Sequence, residues 1–250
     1  MKRYGWLLGC CLFLSIGMLW AADEPDLRML QQKAAQSRDM EGYVGVCKYL
    51  YQTEENPELL LLYADSIHQL ATKSKKPEQL VEYYIWASEG NFIKGDFQQG
   101  YALKRKAIAL AEKAGLKFAI SQSCCDMGYY CNVDARYDSA RYYFRKGLEA
   151  GEDLSEAGEA CRTMLTNYAS SFLFEGKTDS ALVYTIRASE RSAADKDTAM
   201  LIENLNQLGT IYRRKKDLEN CIANFEQALH LCELRGNHNA VAFIYGNIAT

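Results

Sequence analysis

The chain repeats itself every 40 or 41 residues, and few architectures satisfy a period of that length. Between residues 205 and 232, Leu205, Leu208, Gly209 and Tyr212 fall on one face of a first helix, and Cys221, Phe225 and Ala228 on one face of a second. One period earlier stand Leu165, Tyr168, Ala169 and Phe172, then Gly176 in a turn, then Ala181 and Ala188. Before those come Cys124, Met127, Gly128 and Cys131, followed by Tyr137, Ala140, Phe144 and Gly147. Tyr84, Ala87 and Ser88, with Gly95, Phe97, Gly100 and Ala107, form an earlier copy. The first copy holds Val44 and Cys47, then Asn56-Pro57, Leu60, Ala64 and Ile67. A sixth opens with Tyr245, Ile248 and Ala249, so copies start near residues 41, 81, 121, 162, 202 and 242.

A helix–turn–helix of this size cannot bury its apolar face alone, so neighbouring copies must stack into a continuous core. The expected fold is all-α: an α-solenoid of stacked helix–turn–helix units. Small residues at Gly128, Ala169, Gly209, Ala140 and Ala181 let helix backbones approach, with Phe144 and Phe225 filling the space beside them. Asp96, Asp138, Asp179 and Asp217 precede or open the second helices, where a carboxylate can accept unpaired backbone N–H groups. Lys76-Pro77, Gly115, Gly151, Asp195-Lys196-Asp197 and Gly236-Asn237 mark the loops between units. Cys124, Cys131 and Cys221 occupy packing positions of the repeat, so the cysteines after Cys11 are expected to act mostly as small buried hydrophobes. They form no CxxC pair and have no histidine at metal-ligand spacing, so neither a metal site nor a cofactor is expected.

The stretches "LNQLGTIYRRKKDLENCIANFEQAL" and "CCDMGYYCNVDARYDSARYYFRKGL" resemble the tetratricopeptide repeat, with its Leu-Gly-Tyr first helix and Ala-Phe-Ala second helix. The resemblance covers residues 41–250, although no tryptophan fills the first signature position and the closing proline is missing. The period also exceeds the common ~34 residues, as in a longer-helix variety of the family. The resemblance implies a right-handed superhelix. First helices of stacked helix pairs line its concave side, and two residues before each Gly/Ala signature stand Asp126, Asn167, Gln207 and Asn247. A side-chain amide donates and accepts at once, which suits an extended peptide backbone. The row looks like the asparagine ladder of some superhelical tetratricopeptide proteins; alternatively the same groups bond the neighbouring unit or water. Helical position adds Phe92, Tyr129, Asn132, Thr166, Asn206 and Arg213 as groove candidates.

The N-terminus differs in kind. Lys2 and Arg3, an apolar run to Trp20, then Ala21-Ala22 before acidic residues follow the order of an export signal. Residues 1–22 are therefore expected to be a signal peptide, or an uncleaved anchor, with 23–40 a helix leading into the repeats at 41–250. The remainder would lie outside the cytoplasm, periplasmic or facing the periplasm, in an exported bacterial-type protein. A net charge of −3 with acids and bases interspersed speaks against nucleic-acid binding by this part of the chain. No phosphate loop, HExxH pair or GxSxG elbow occurs, and His68, His230 and His238 form no catalytic constellation, so no catalytic residue and no enzymatic activity are expected. The expected function is recognition of a protein or peptide in the concave groove. The alternatives are the exported sensor region of a longer membrane-bound regulator, or a nutrient-uptake lipoprotein. The sixth copy stops in mid-helix with the apolar "AVAFIYGNIAT", and the expectation is a longer chain that completes it, with more repeats and room for a membrane helix.

Overall fold

Helix starts in this chain are written in side chains that accept hydrogen bonds. In a computed structural model that describes residues 26–54 and 56–248, Asp39, Asn56, Asp96, Asp197 and Asp217 each take the backbone N–H three residues on, at 2.8–3.2 Å. Each satisfies one of the donors that a helix start leaves unpaired. Twelve α-helices and no strands are found among the described residues. They are α1 (Leu27–Ser37), α2 (Met40–Thr53), α3 (Pro57–Ser74), α4 (Pro77–Lys94), α5 (Phe97–Ala114), α6 (Lys117–Val133), α7 (Tyr137–Gly151), α8 (Gly158–Phe174), α9 (Thr178–Ala194), α10 (Thr198–Arg214), α11 (Leu218–Leu234) and α12 (His238–Ile248). Consecutive helices pack in pairs, giving the stacked helix–turn–helix repeat architecture that the period implies. The signal or anchor expected at 1–22 lies outside the described residues, as do Ala249 and Thr250. Among the described residues no helix is long and apolar enough to cross a membrane.

Two expectations for the local structure need correction. Asp138 and Asp179 do not cap α7 and α9: the caps are Arg136 and Lys177, and neither makes a side-chain capping bond. Standing inside the first turn, the two acids pair with Arg141 and Lys215. Gly151 is not a loop breaker but the buried last residue of α7, and a short 3-10 turn at Ser155–Ala157 follows it.

The chain divides into two compact units that meet between Met127 and Gly128, within α6. In the first, Val46, Leu50, Leu60, Ala64, Ile67, Val81, Ala107 and Ala111 form a sealed core. Phe92 of α4 lies on Gly100 of α5, where an added Cβ would come within 2.7 Å of its ring. The second unit reverses this arrangement. Phe144 of α7 covers Gly128 of α6, and Phe225 of α11 covers Gly209 of α10, so there the ring sits on the second helix and the gap on the first. Ile202, Leu205, Leu208, Phe225, Ala228 and Ile244 are buried around the latter contact. The cysteines at 47, 124, 125, 131, 161, 221 and 232 are all buried. Burial, with Glu82 nearby, pushes the Cys47 thiol up to about 12, which leaves it the packing role read from the repeat.

Candidate binding face

Helix α10 carries an apolar stripe and, beside it, a half-buried polar one. Ile202, Leu205, Leu208 and Gly209 turn into the core, and the half-buried Glu203, Asn206, Gln207, Thr210 and Arg213 follow one another at helical spacing along another stripe. The amides on this stripe connect first helices. Gln207 donates to Ser170 Oγ of α8 at 2.7 Å and accepts from Thr185 Oγ1 of α9 at 3.2 Å. Asn247 of α12 donates to Asn206 Oδ1 at 2.9 Å, and Arg213 donates to the Asn247 carbonyl.

Beneath the stripe runs a buried polar chain. Thr166 of α8 donates to Asn204 Oδ1 at 2.9 Å, and Asn204 donates to Ser192 Oγ of α9 at 3.1 Å. Asn167 donates to the Thr163 carbonyl at 3.1 Å within α8, and its own carbonyl accepts from Asn132 of α6 at 2.9 Å. The Asn132 side-chain oxygen is buried and takes no hydrogen bond among the described residues. In a low-dielectric interior such bonds fix register, because each group left unmatched costs about 1–3 kcal/mol.

The second unit thus gathers Asn132, Thr166, Asn167, Asn206, Gln207, Arg213 and Asn247 onto α6, α8, α10 and α12. Both candidate uses of the amides have groups available. Gln207 and Asn247 bond neighbouring helices, while Asn167 Oδ1, Asn206 Nδ2 and one Gln207 N–H carry no hydrogen bond among the described residues. Tyr129, half-buried on α6, packs its ring edge-on to Tyr130 at 5.5 Å.

Phe92 and Asp126 lie in the first unit. Phe92 is 4% exposed and turned into its own repeat, edge-on to Tyr101 at 5.2 Å. Asp126 accepts from Lys104 Nζ at 2.9 Å, and Lys104 also pairs with Glu89. The Lys104 side chain is fully buried. Burial disfavours its charge, but Asp126 and Glu89 outweigh that and hold the pKa above the ordinary lysine value. Nearby Glu82 accepts from Trp86 Nε1 at 2.9 Å, and burial raises its carboxyl above the usual range despite that bond.

Sequence pattern missed Lys104, Glu89, Asn204, Ser170, Thr185 and Glu203. The available signal was polarity inside an apolar period: Asn204 stands between Ile202 and Leu205, and Lys104 between Leu103 and Ala107. Among the described residues Glu203 has neither a capping role nor an ion pair, and burial, with Asp197 nearby, pushes its carboxyl up to about 7. Among the described residues no cluster of His, Cys, Asp and Glu could hold a metal ion.

No family model matches the chain, and no curated protein does. Solved structures do. BtubC (BKLC) from P. vanneervenii superposes with a TM-score of 0.68 at 14% identity, over 84% of this chain and 88% of its own. RapI in its apo form gives 0.64 at 9% identity, over 89% of this chain and 65% of its own. Bacillus thuringiensis PlcR, solved with the peptide PapR7 and DNA, gives 0.54 at 13% identity, over 89% and 85%. At these identities the likeness concerns fold, and the shared fold is a tetratricopeptide-type helical repeat.

Proposed function

We propose that this chain is a repeat scaffold that binds an extended peptide or protein segment along its first-helix face, without covalent chemistry. The observation that carries the reading is the half-buried polar stripe of α10, where amides with unspent N–H donors sit on helices already fixed by their neighbours. Such groups cost little to order when a backbone docks, because the inter-helix bonds hold them in place beforehand. The peptide-bound state of PlcR, a protein of similar fold, supports the same reading. We place the scaffold outside the cytoplasm, on the order of basic, apolar and small residues at 1–22. Nucleic acid is not proposed as a partner of this part, given its net charge of −3.

The test is an array of randomised peptides probed with the chain and with Thr210→Trp. Thr210 lies on the stripe, and among the described residues its hydroxyl bonds only the Asn206 carbonyl one turn back, so an indole there obstructs the face and breaks no inter-helix bond seen there. Loss of array binding with an unchanged melting curve is expected. Peptides that bind the variant as they bind the parent chain would refute the proposed face.

A further inference from the structure

We propose that Glu203 is the anchor for a positive charge, an ammonium or guanidinium, on the segment that this face binds. The inference rests on the peptide-binding reading above and adds the chemistry of the ligand.

Glu203 is set apart by what surrounds other shielded acids of the second unit. Asp197 is half-buried, but it caps α10 at Met200 N and pairs with Arg162 at 2.9 Å. Asp217 is half-buried, but it caps α11 and holds the Asn220 amide at 2.8 Å. Even the exposed Asp195 and Glu175 have cations, Arg162 and Arg191 for the first and Arg141 and Lys177 for the second. Glu203 has no hydrogen bond and no ion pair among the described residues, and it is half-buried on the same stripe as Asn206 and Gln207. A shielded carboxylate costs stability unless a cation or a set of donors meets it. Burial, and after it the like charge of Asp197, make its carboxyl reluctant to ionise. Arg162, which meets Asp197, is already shared between Asp195 and Asp197. A bound cation would supply the missing partner, and the open Asn206 amide one turn along would hold the adjacent backbone carbonyl.

The positive charge could sit on a peptide's amino terminus or on a Lys or Arg side chain. The experiment separates the two with three sets of randomised hexapeptides: free amino terminus without Lys or Arg, acetylated with one Lys or Arg, and acetylated without either. Binding to the chain and to Glu203→Gln is measured, with circular dichroism and melting confirming that the variant folds. The chain should favour one of the charged sets over the uncharged set by roughly tenfold or more, as expected for a charge-assisted hydrogen bond, and Glu203→Gln should abolish that preference. Preference for the free-terminus set assigns the ammonium to the chain end, and preference for the acetylated basic set assigns it to a side chain. Equal binding of all three sets, or a preference that Glu203→Gln retains, overturns the role of Glu203 and leaves the peptide face standing. Binding of no set at all overturns both.

Discussion

Replacing Lys104 by methionine tests how the first unit is held together. The lysine side chain is fully buried, the Glu89 side chain is 3% exposed, and Asp126 is the more accessible partner at 23%. Methionine keeps most of the stem volume, so the packing loss should stay below about 1.5 kcal/mol. The larger effect is electrostatic. Removing the ammonium takes the ion pair from the buried Glu89, and breaking a buried pair on one side costs about 3–5 kcal/mol. Lys104→Met/Glu89→Gln removes both charges, so most of that loss should return. The loss should also depend on pH. In Lys104→Met burial without the ammonium should disfavour the Glu89 charge, so the variant is expected to regain stability as pH falls toward about 4.3 and to lose it as pH rises. Urea unfolding followed by the fluorescence of Trp86, in the same unit, reads this directly once residues 1–22, with Trp6 and Trp20, are removed. A Lys104→Met midpoint equal to that of the parent chain, or a double variant no better than the single one, would refute the buried ion pair as the source of the cost.

Glu203→Gln should change stability in the opposite sense. Its carboxyl is raised from 4.5 to about 7, so the parent chain loses stability as pH rises between those values. The variant should match the parent near pH 4 and exceed it by about 1–2 kcal/mol at pH 8, after allowance for the water that reaches a half-buried group. Thermal melts across that range check it. Ala181, fully buried beside Leu173 and Ile211, should tolerate no ring: Ala181→Trp is expected to cost ~1–3 kcal/mol in a denaturant midpoint. Lys216 holds φ at 61°, so Lys216→Gly should stabilise the α10–α11 turn by up to about 1 kcal/mol, read as a raised melting temperature.

Much of the fold was legible because its determinants are local and recur. Gly209 with Phe225, and Gly128 with Phe144, announce helix pairs at a fixed spacing, and Asp96 and Asp217 announce helix starts. What escaped was whatever a side chain does across a gap of some 40 residues. Asp138 and Asp179 have the same local sequence promise as Asp217, but distant cations as well as the turn decide their use: Lys215 for Asp179, and the nearby Arg141 for Asp138. Phe92 occupies a groove-facing position by count, yet Gly100 opposite it opens a gap that the ring fills. The amide row was legible as a row. That Gln207 spans to Ser170 and Thr185 was not, because a glutamine in a helix reads alike whether it bonds its neighbour or a ligand.

Photo-crosslinking to an array-selected peptide tests the first-helix face most directly. A photoreactive residue placed at Thr163 of α8 or Thr210 of α10, both half-buried on first helices, should capture the labelled peptide. The same residue at Val183 of α9 or Ile222 of α11, exposed at 56% and 54% on second helices, should not. Capture from 183 or 222 with none from 163 or 210 would contradict the proposed binding face.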